Sequence, residues 1–242
     1  MKYRLALLTS SALFLTAADF WNSKAYTEWN DKDLQKIMTD SPWAKRTAVL
    51  SLEGPAAPAI GGPTPSRGKG SPAPGGDDSS APAPLSEKSG GGGGGGGAVQ
   101  MPSAEVVVSW ATALPIKQAI AKAKYGKEVA TSPEAKAFLE REEQFYIVEV
   151  TPFPFRGRSG DEFRSALAKS AVLNIKGKDS IHAMDVQVNP RGRTLDLYFL
   201  FPRQRVITLE DTEVEFNAKA GDVPIKQRFK LKDMVFSGKL AL

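Results

Sequence analysis

The chain has 242 residues, a formal net charge of +5 and no cysteine. The absence of cysteine excludes disulfide bonds, thiol nucleophiles, cysteine metal ligands and lipid-modified cysteines. Without its N-terminal and low-complexity segments the chain retains about 170 residues, enough for one sizeable hydrophobic core. The modest positive charge falls short of the dense basic clusters of a dedicated nucleic-acid-binding protein, so no specific nucleic-acid partner is expected.

The first residues have the pattern of an export signal. Two basic side chains lie among the first four residues, and residues 5–15 form an apolar run broken only by hydroxyls. This run is too short to span a hydrocarbon core of roughly 30 Å, so no transmembrane anchor is expected. Small residues follow it, so we predict a signal peptide over residues 1–18, with residue 25 as the alternative end. The protein is therefore expected in the periplasm or outside the cell.

Residues 54–98 form a low-complexity segment of proline, glycine, alanine and serine, with eight consecutive glycines. The segment has almost no large apolar side chains, so it cannot bury enough surface to offset the entropy of ordering it. Strands are predicted on either side of it, over residues 47–52 and 105–110. We interpret it as a disordered Pro/Gly-rich insertion between residues 26–53 and 99–242 of one domain, and a spacer between two domains is the alternative.

The rest of the chain mixes helices and strands. Helical spacing of apolar residues predicts a short helix over residues 31–40 and three further helices over 115–124, 133–143 and 160–169. Strand patterns cover residues 145–150, 171–175, 181–188, 195–201, 213–217 and 225–231. Successive strands favour antiparallel pairing, and the interspersed helices favour an α+β fold. We therefore predict an α+β domain with a mainly antiparallel sheet and about three helices.

Two segments resemble a group of uncharacterised exported bacterial proteins. The first contains Phe20-Trp21, Tyr26-Thr-Glu-Trp29 and Thr39-Asp-Ser-Pro-Trp-Ala-Lys45. The second is Phe229-Lys-Leu-Lys-Asp-Met-Val-Phe236, followed by Gly238-Lys-Leu240. The resemblance brings no activity, cofactor or catalytic residue with it. It implies a diderm bacterial setting, a domain whose two ends belong together, and cleavage after Ala18.

Three pairs of arginines are the strongest candidates for a binding site. The members of each pair lie two residues apart, and the pairs are Arg156 and Arg158, Arg191 and Arg193, and Arg203 and Arg205. In an extended chain the two side chains of a pair point to the same side, and guanidinium groups suit phosphate and carboxylate. If the three loops lie at one end of the sheet, these arginines form an anion-binding rim. Solvated loop arginines are the alternative.

The chain also offers limited material for catalysis. His182 is the only histidine, and it has neither metal-ligand spacing nor a Gly-x-Ser-x-Gly turn to accompany it. Carboxylates at Glu140, Glu142, Glu143 and residues 210–215 could include a pair for glycoside cleavage, although surface charge explains them equally well. No pattern calls for a metal ion or a cofactor.

We therefore predict a non-enzymatic binding or interaction domain of the bacterial cell envelope, with an anionic polymer or an envelope protein as its partner. One alternative is an envelope hydrolase that uses His182 or a carboxylate pair. The other is a structural subunit, which would expose an apolar patch around Trp21 and Trp29. Trp43 and Trp110 are expected to anchor the core.

Overall fold

The computed structural model describes residues 20–50, 103–155 and 159–242. The predicted signal peptide, the low-complexity segment, Arg156 and Arg158 lie outside the described residues. Within those ranges the fold is α+β with antiparallel strand pairing, which confirms the predicted fold class. No helix in these ranges is long and apolar enough to cross a bilayer.

Five α-helices occur in the described residues. They are α1 (Phe20–Ser23), α2 (Asp31–Thr39), α3 (Leu114–Tyr125), α4 (Pro133–Glu140) and α5 (Asp161–Ser170). Asn30 caps α2 by accepting hydrogen bonds from the backbone N–H groups of Lys32 and Asp33, each at 3.0 Å. Helix α4 ends earlier than predicted because Arg141 adopts an extended conformation.

Nine strands form two antiparallel sheets. The first sheet has the order β1-β2-β3-β7-β6, with β1 (Ala44–Leu50), β2 (Ser103–Trp110), β3 (Phe145–Pro154), β6 (Asp185–Arg191) and β7 (Thr194–Pro202). The second has the order β5-β4-β8-β9, with β4 (Val172–Ile175), β5 (Ile181–His182), β8 (Glu213–Ala220) and β9 (Val223–Lys230). A small hairpin of β10 (Val235–Phe236) and β11 (Lys239–Leu240) follows.

The predicted strand over residues 181–188 is in fact two strands in different sheets. The backbone N–H of Ala183 donates to Ala171 O of the second sheet at 3.0 Å, and that of Met184 donates to Leu200 O of the first at 2.8 Å. The chain therefore changes sheets between these two residues. The alternation of buried and exposed residues continues through the crossover because both strands are half-buried. The sequence pattern therefore gave no sign that one strand ends and another begins.

The two sheets pack face to face and share one core. The ring of Phe199 on β7 lies 5.1 Å from that of Phe216 on β8, and the ring of Trp110 on β2 lies 5.5 Å from that of Phe229 on β9. At one side of the sandwich, the edge strands β1 and β9 meet through a hydrogen bond of 3.1 Å between Thr47 and Gln227. This contact joins the middle of β1 to the middle of β9.

The four tryptophans all belong to this core. Trp21, Trp29, Trp43 and Trp110 are no more than 5% exposed. The apolar patch that a structural subunit would expose is therefore not found at these residues.

Residues 51–102 join β1 to β2, which are neighbours in one sheet with Ala44 opposite Ser109 and Leu50 opposite Ser103. This arrangement is consistent with an insertion in one domain. Residues on both sides of the segment belong to the same sheet and pack in the same core.

Candidate functional site

The structure does not bring the described arginines together. Arg191 and Arg193 lie at the β6–β7 turn, whereas Arg203 and Arg205 follow the other end of β7. Strand β7 has nine residues and a strand rises roughly 3.3 Å per residue, so the length of the sheet separates the two pairs. The condition for a single rim, loops at one end of the sheet, is therefore not met by these four side chains. The two-residue spacing within a pair indicates that both arginines point to the same side. It does not indicate at which end of the sheet their loop lies.

Contacts within the fold also engage these arginines. The guanidinium of Arg203 stacks on the ring of Tyr146 at 4.4 Å and donates to Leu242 O at 2.7 Å. Arg205 donates to the carboxylate of Asp179 at 3.1 Å. These side chains attach loops and the C-terminal residues to the sheet. Structural contacts therefore account for these two arginines without a ligand.

His182 lies in a cavity of about 350 Å³ that Ser180 and Arg205 also line. Ser180 donates its hydroxyl to Asn174 Oδ1 at 2.6 Å and not to the imidazole. In the described part of the chain no hydrogen bond joins His182 to a carboxylate. The cavity therefore has no nucleophile, base and orienting group arranged for acyl transfer.

The carboxylates considered for glycoside cleavage are not paired across a cleft. Glu140 and Glu142 are exposed, and Glu143 forms an ion pair of 3.0 Å with the buried Lys117. Burial opposes ionisation of Glu143, but the hydrogen bond and charge of Lys117 hold its pKa below the ordinary value. This carboxylate is therefore the counter-ion of a buried lysine.

The sequence analysis missed one polar cluster, on the outer face of the first sheet. Ser109, Glu149 and Tyr198 lie in one register row, and Ser109 donates to Glu149 Oε2 at 3.2 Å. Burial raises the pKa of Glu149, against hydrogen bonds from Tyr198 and Ser109. The nearby Asp196 is held at 3.3 Å by Arg191. Because Asp196 is already paired, the two carboxylates do not form an open acid–base site.

A groove of about 620 Å³ lies between the end of α2, the start of β1 and the end of β9. We call it the basic groove after the five cationic side chains that line it. They are Lys36, Lys45, Arg228, Lys230 and Lys232. Two acidic residues, Asp40 and Asp233, also line it, so the lining carries a net charge of five minus two, or +3.

Three cations of the basic groove form no direct ion pair with the described residues. Lys36 pairs with Asp40 at 3.1 Å, and Arg228 pairs with Glu215 at 2.5 Å. For Lys45, Lys230 and Lys232, no carboxylate of the described residues lies within 4.0 Å. These three ammonium groups can therefore take a negatively charged ligand without breaking an ion pair.

Local sequence explains how the groove forms. Along β9 the side chains of Ile225 and Phe229 are buried, and the alternate positions Arg228 and Lys230 face outward. On the opposite wall, Ser41 donates its hydroxyl to Ile37 O at 2.7 Å where α2 ends. The strict alternation of apolar and basic residues near the end of the chain was the available sequence signal.

Two segments that are far apart in the sequence meet at this groove. Ser41, Pro42 and Lys45 come from the first, and Lys230, Lys232, Asp233 and Val235 come from the second. Comparisons with protein-family models, curated proteins and solved structures found no match for the chain. The functional argument therefore depends on the chemistry of the groove itself.

The ionised forms of two glutamates, the buried Glu149 and the paired Glu215, should have opposite effects on the free energy of unfolding. Burial raises the pKa of Glu149, so its ionised form destabilises the fold. The hydrogen bond from Asn217, together with Arg228 and Lys226, lowers the pKa of Glu215 to about 2, so its ionised form stabilises the fold. At pH 7, urea denaturation should show a higher free energy of unfolding for Glu149→Gln and a lower one for Glu215→Gln.

Acid should remove these two effects over different ranges. The gain in Glu149→Gln should disappear as the pH falls through the raised pKa towards the ordinary value of 4.5. The loss in Glu215→Gln should persist down to 4.5 and vanish as the pH falls towards about 2. Shifts of the same sign in both variants at pH 7 would contradict this account.

Proposed function

We propose that this chain is an exported, non-enzymatic binding domain of the bacterial cell envelope that holds an anionic ligand in the basic groove. The observation that carries the proposal is a set of three ammonium groups, on Lys45, Lys230 and Lys232, that line one groove and form no ion pair with the described residues. Lys45 lies on β1 of the first sheet, Lys230 lies on β9 of the second, and Lys232 lies in the turn that follows β9.

Electrostatics supports this choice over an ordinary solvated surface. Two unit charges about 7 Å apart repel by roughly 2 kcal/mol at an effective dielectric constant of about 20. Gathering like charges on one groove therefore disfavours the free fold, and an anion that binds there relieves the repulsion. A groove lined by one sign of charge also concentrates ligands of the opposite sign.

The two alternative functions lack a comparable observation in the described residues. A hydrolase would need His182 or a carboxylate pair with an orienting partner. His182 is exposed and has no hydrogen bond to a described carboxylate, Glu143 is paired with Lys117, and Asp196 is paired with Arg191. A structural subunit would need exposed apolar surface near the N-terminal tryptophans, which are buried.

Replacing these three lysines should weaken anion binding. We expect the combined variant Lys45→Gln, Lys230→Gln, Lys232→Gln to bind tripolyphosphate at least about tenfold more weakly, a loss of about 1.4 kcal/mol. Isothermal titration calorimetry at low and at high salt measures the affinity. The matched control replaces three exposed lysines elsewhere, Lys127, Lys136 and Lys169, by glutamine. If both triple variants lost the same affinity for tripolyphosphate, net charge alone would explain the loss and the proposal would be contradicted.

We also propose that export removes residues 1–18 and leaves Phe20 and Trp21 in the mature protein. Trp21 is 5% exposed, and its ring packs edge-on against Trp43 with centroids 5.6 Å apart. Lys24 further binds Asp33 of α2 at 2.5 Å. Cleavage after Ala25 would remove all of these contacts from the core.

The exported protein should therefore begin at Asp19. Intact-mass measurement and N-terminal sequencing of protein purified from the periplasm or the medium identify the first residue. A first residue of Tyr26 would contradict this assignment, and a chain retained in the cytoplasm with Met1 intact would contradict export itself.

A further inference from the structure

We propose that the ligand of the basic groove is a linear phosphate polymer of the envelope, which leaves the groove along the outer face of β9. This inference rests on the proposed function, because it specifies the ligand of the same site. It adds one residue outside the groove, Lys226, and one regulator of the contact, Glu215.

The cations of β9 form a straight row. Lys226, Arg228 and Lys230 occupy alternate outward positions of the strand, and all three are exposed. Alternate residues of a strand lie roughly 6.6 Å apart. Lys232 lies in the short 3-10 turn that follows β9. A compact anion reaches only one or two members of such a row. A chain with regularly repeated charges can contact all of them.

The row begins inside the groove and ends outside it. Arg228, Lys230 and Lys232 line the groove, whereas Lys226 does not. A ligand that fits wholly within the groove therefore leaves Lys226 untouched. Only a ligand long enough to continue along the strand reaches it.

Glu215 on the neighbouring strand β8 competes for this row. It lies opposite Arg228 in the register, and its carboxylate accepts from Arg228 Nε at 2.5 Å and contacts Lys226 Nζ at 3.1 Å. In the free protein this carboxylate neutralises the outer part of the row. A polymer that follows β9 replaces Glu215 as the counter-ion of both cations.

The chemistry of the cations favours phosphate. The unpaired members of the basic groove are all lysines, and an ammonium group is a compact charge with three donors that binds phosphate oxygens from many directions. The planar fork of arginine, which suits carboxylate and phosphate alike, is present only in Arg228, and Glu215 already occupies it. Lysine binds phosphate as a point charge without such a fork, and a comparison with polyglutamate distinguishes phosphate from carboxylate.

The groove does not favour a nucleic acid. Proteins that bind single strands stack bases on accessible aromatic rings. The aromatic residue that lines this groove, Trp21, is 5% exposed, and Trp43 behind it is fully buried. The surface beside the lysines therefore has charge without a stacking platform.

The test compares a short and a long phosphate chain on the purified protein. We expect long-chain polyphosphate to bind about tenfold tighter than tripolyphosphate, since the second set of contacts is intramolecular. Lys226→Gln should weaken the long chain about fivefold and leave tripolyphosphate unchanged. It should also lower the slope of log affinity against log salt by roughly 0.7 for the long chain. Glu215→Gln should strengthen binding of the long chain. The control Lys136→Gln should leave the affinity for both ligands unchanged.

The outcomes separate this inference from the proposed function. If Lys226→Gln and Glu215→Gln leave long-chain affinity unchanged while the triple groove variant loses tripolyphosphate, the linear path along β9 is overturned and the groove remains an anion site. If the triple groove variant binds tripolyphosphate normally, the proposed function itself fails. The assignment to a phosphate polymer without bases would be overturned if polyglutamate or single-stranded oligo-dT of equal charge bound more tightly than long-chain polyphosphate.

Discussion

The indole of Trp43 is the contact on which the groove depends. It is fully buried at the start of β1, and its ring packs edge-on against Trp21 at 5.6 Å and Phe236 at 6.3 Å. Its Nε1–H donates to Ala241 O at 3.0 Å. One side chain thus joins the N-terminal helix, the first sheet and the C-terminal hairpin. Because Lys45 lies two residues beyond Trp43, this contact fixes one wall of the basic groove against the other.

Apolar packing and charge have opposing effects at this point of the molecule. Burial of large aromatic rings stabilises the fold, and edge-to-face pairs of such rings contribute roughly 0.5–1.5 kcal/mol beyond their buried area. The lysines held above these rings repel one another and destabilise the free protein. Binding of the proposed anionic ligand would relieve this repulsion. Glu215 lowers the repulsion on the outer part of β9 without neutralising the groove.

Sequence reasoning predicted what depends on local pattern. The helical spacing of apolar residues predicted α2, and strand patterns predicted β8 and β9. Local patterns carry no information on where loops lie in three dimensions. The anion-binding rim required the arginine pairs to share one end of the sheet, and the nine residues of β7 separate the described pairs. Lys45 and Lys230 meet only because two sheets pack together, and a single sequence gives no measure of that distance.

The most direct test of the groove as the ligand site is a map of where an anion contacts the protein. Backbone amide shifts in ¹H–¹⁵N spectra, recorded while tripolyphosphate is added, provide that map. The account predicts the largest shifts in two separate segments, residues 36–45 and 228–235, which the groove brings together. Shifts centred on residues 191–193 or 203–205, with the groove unchanged, would contradict it.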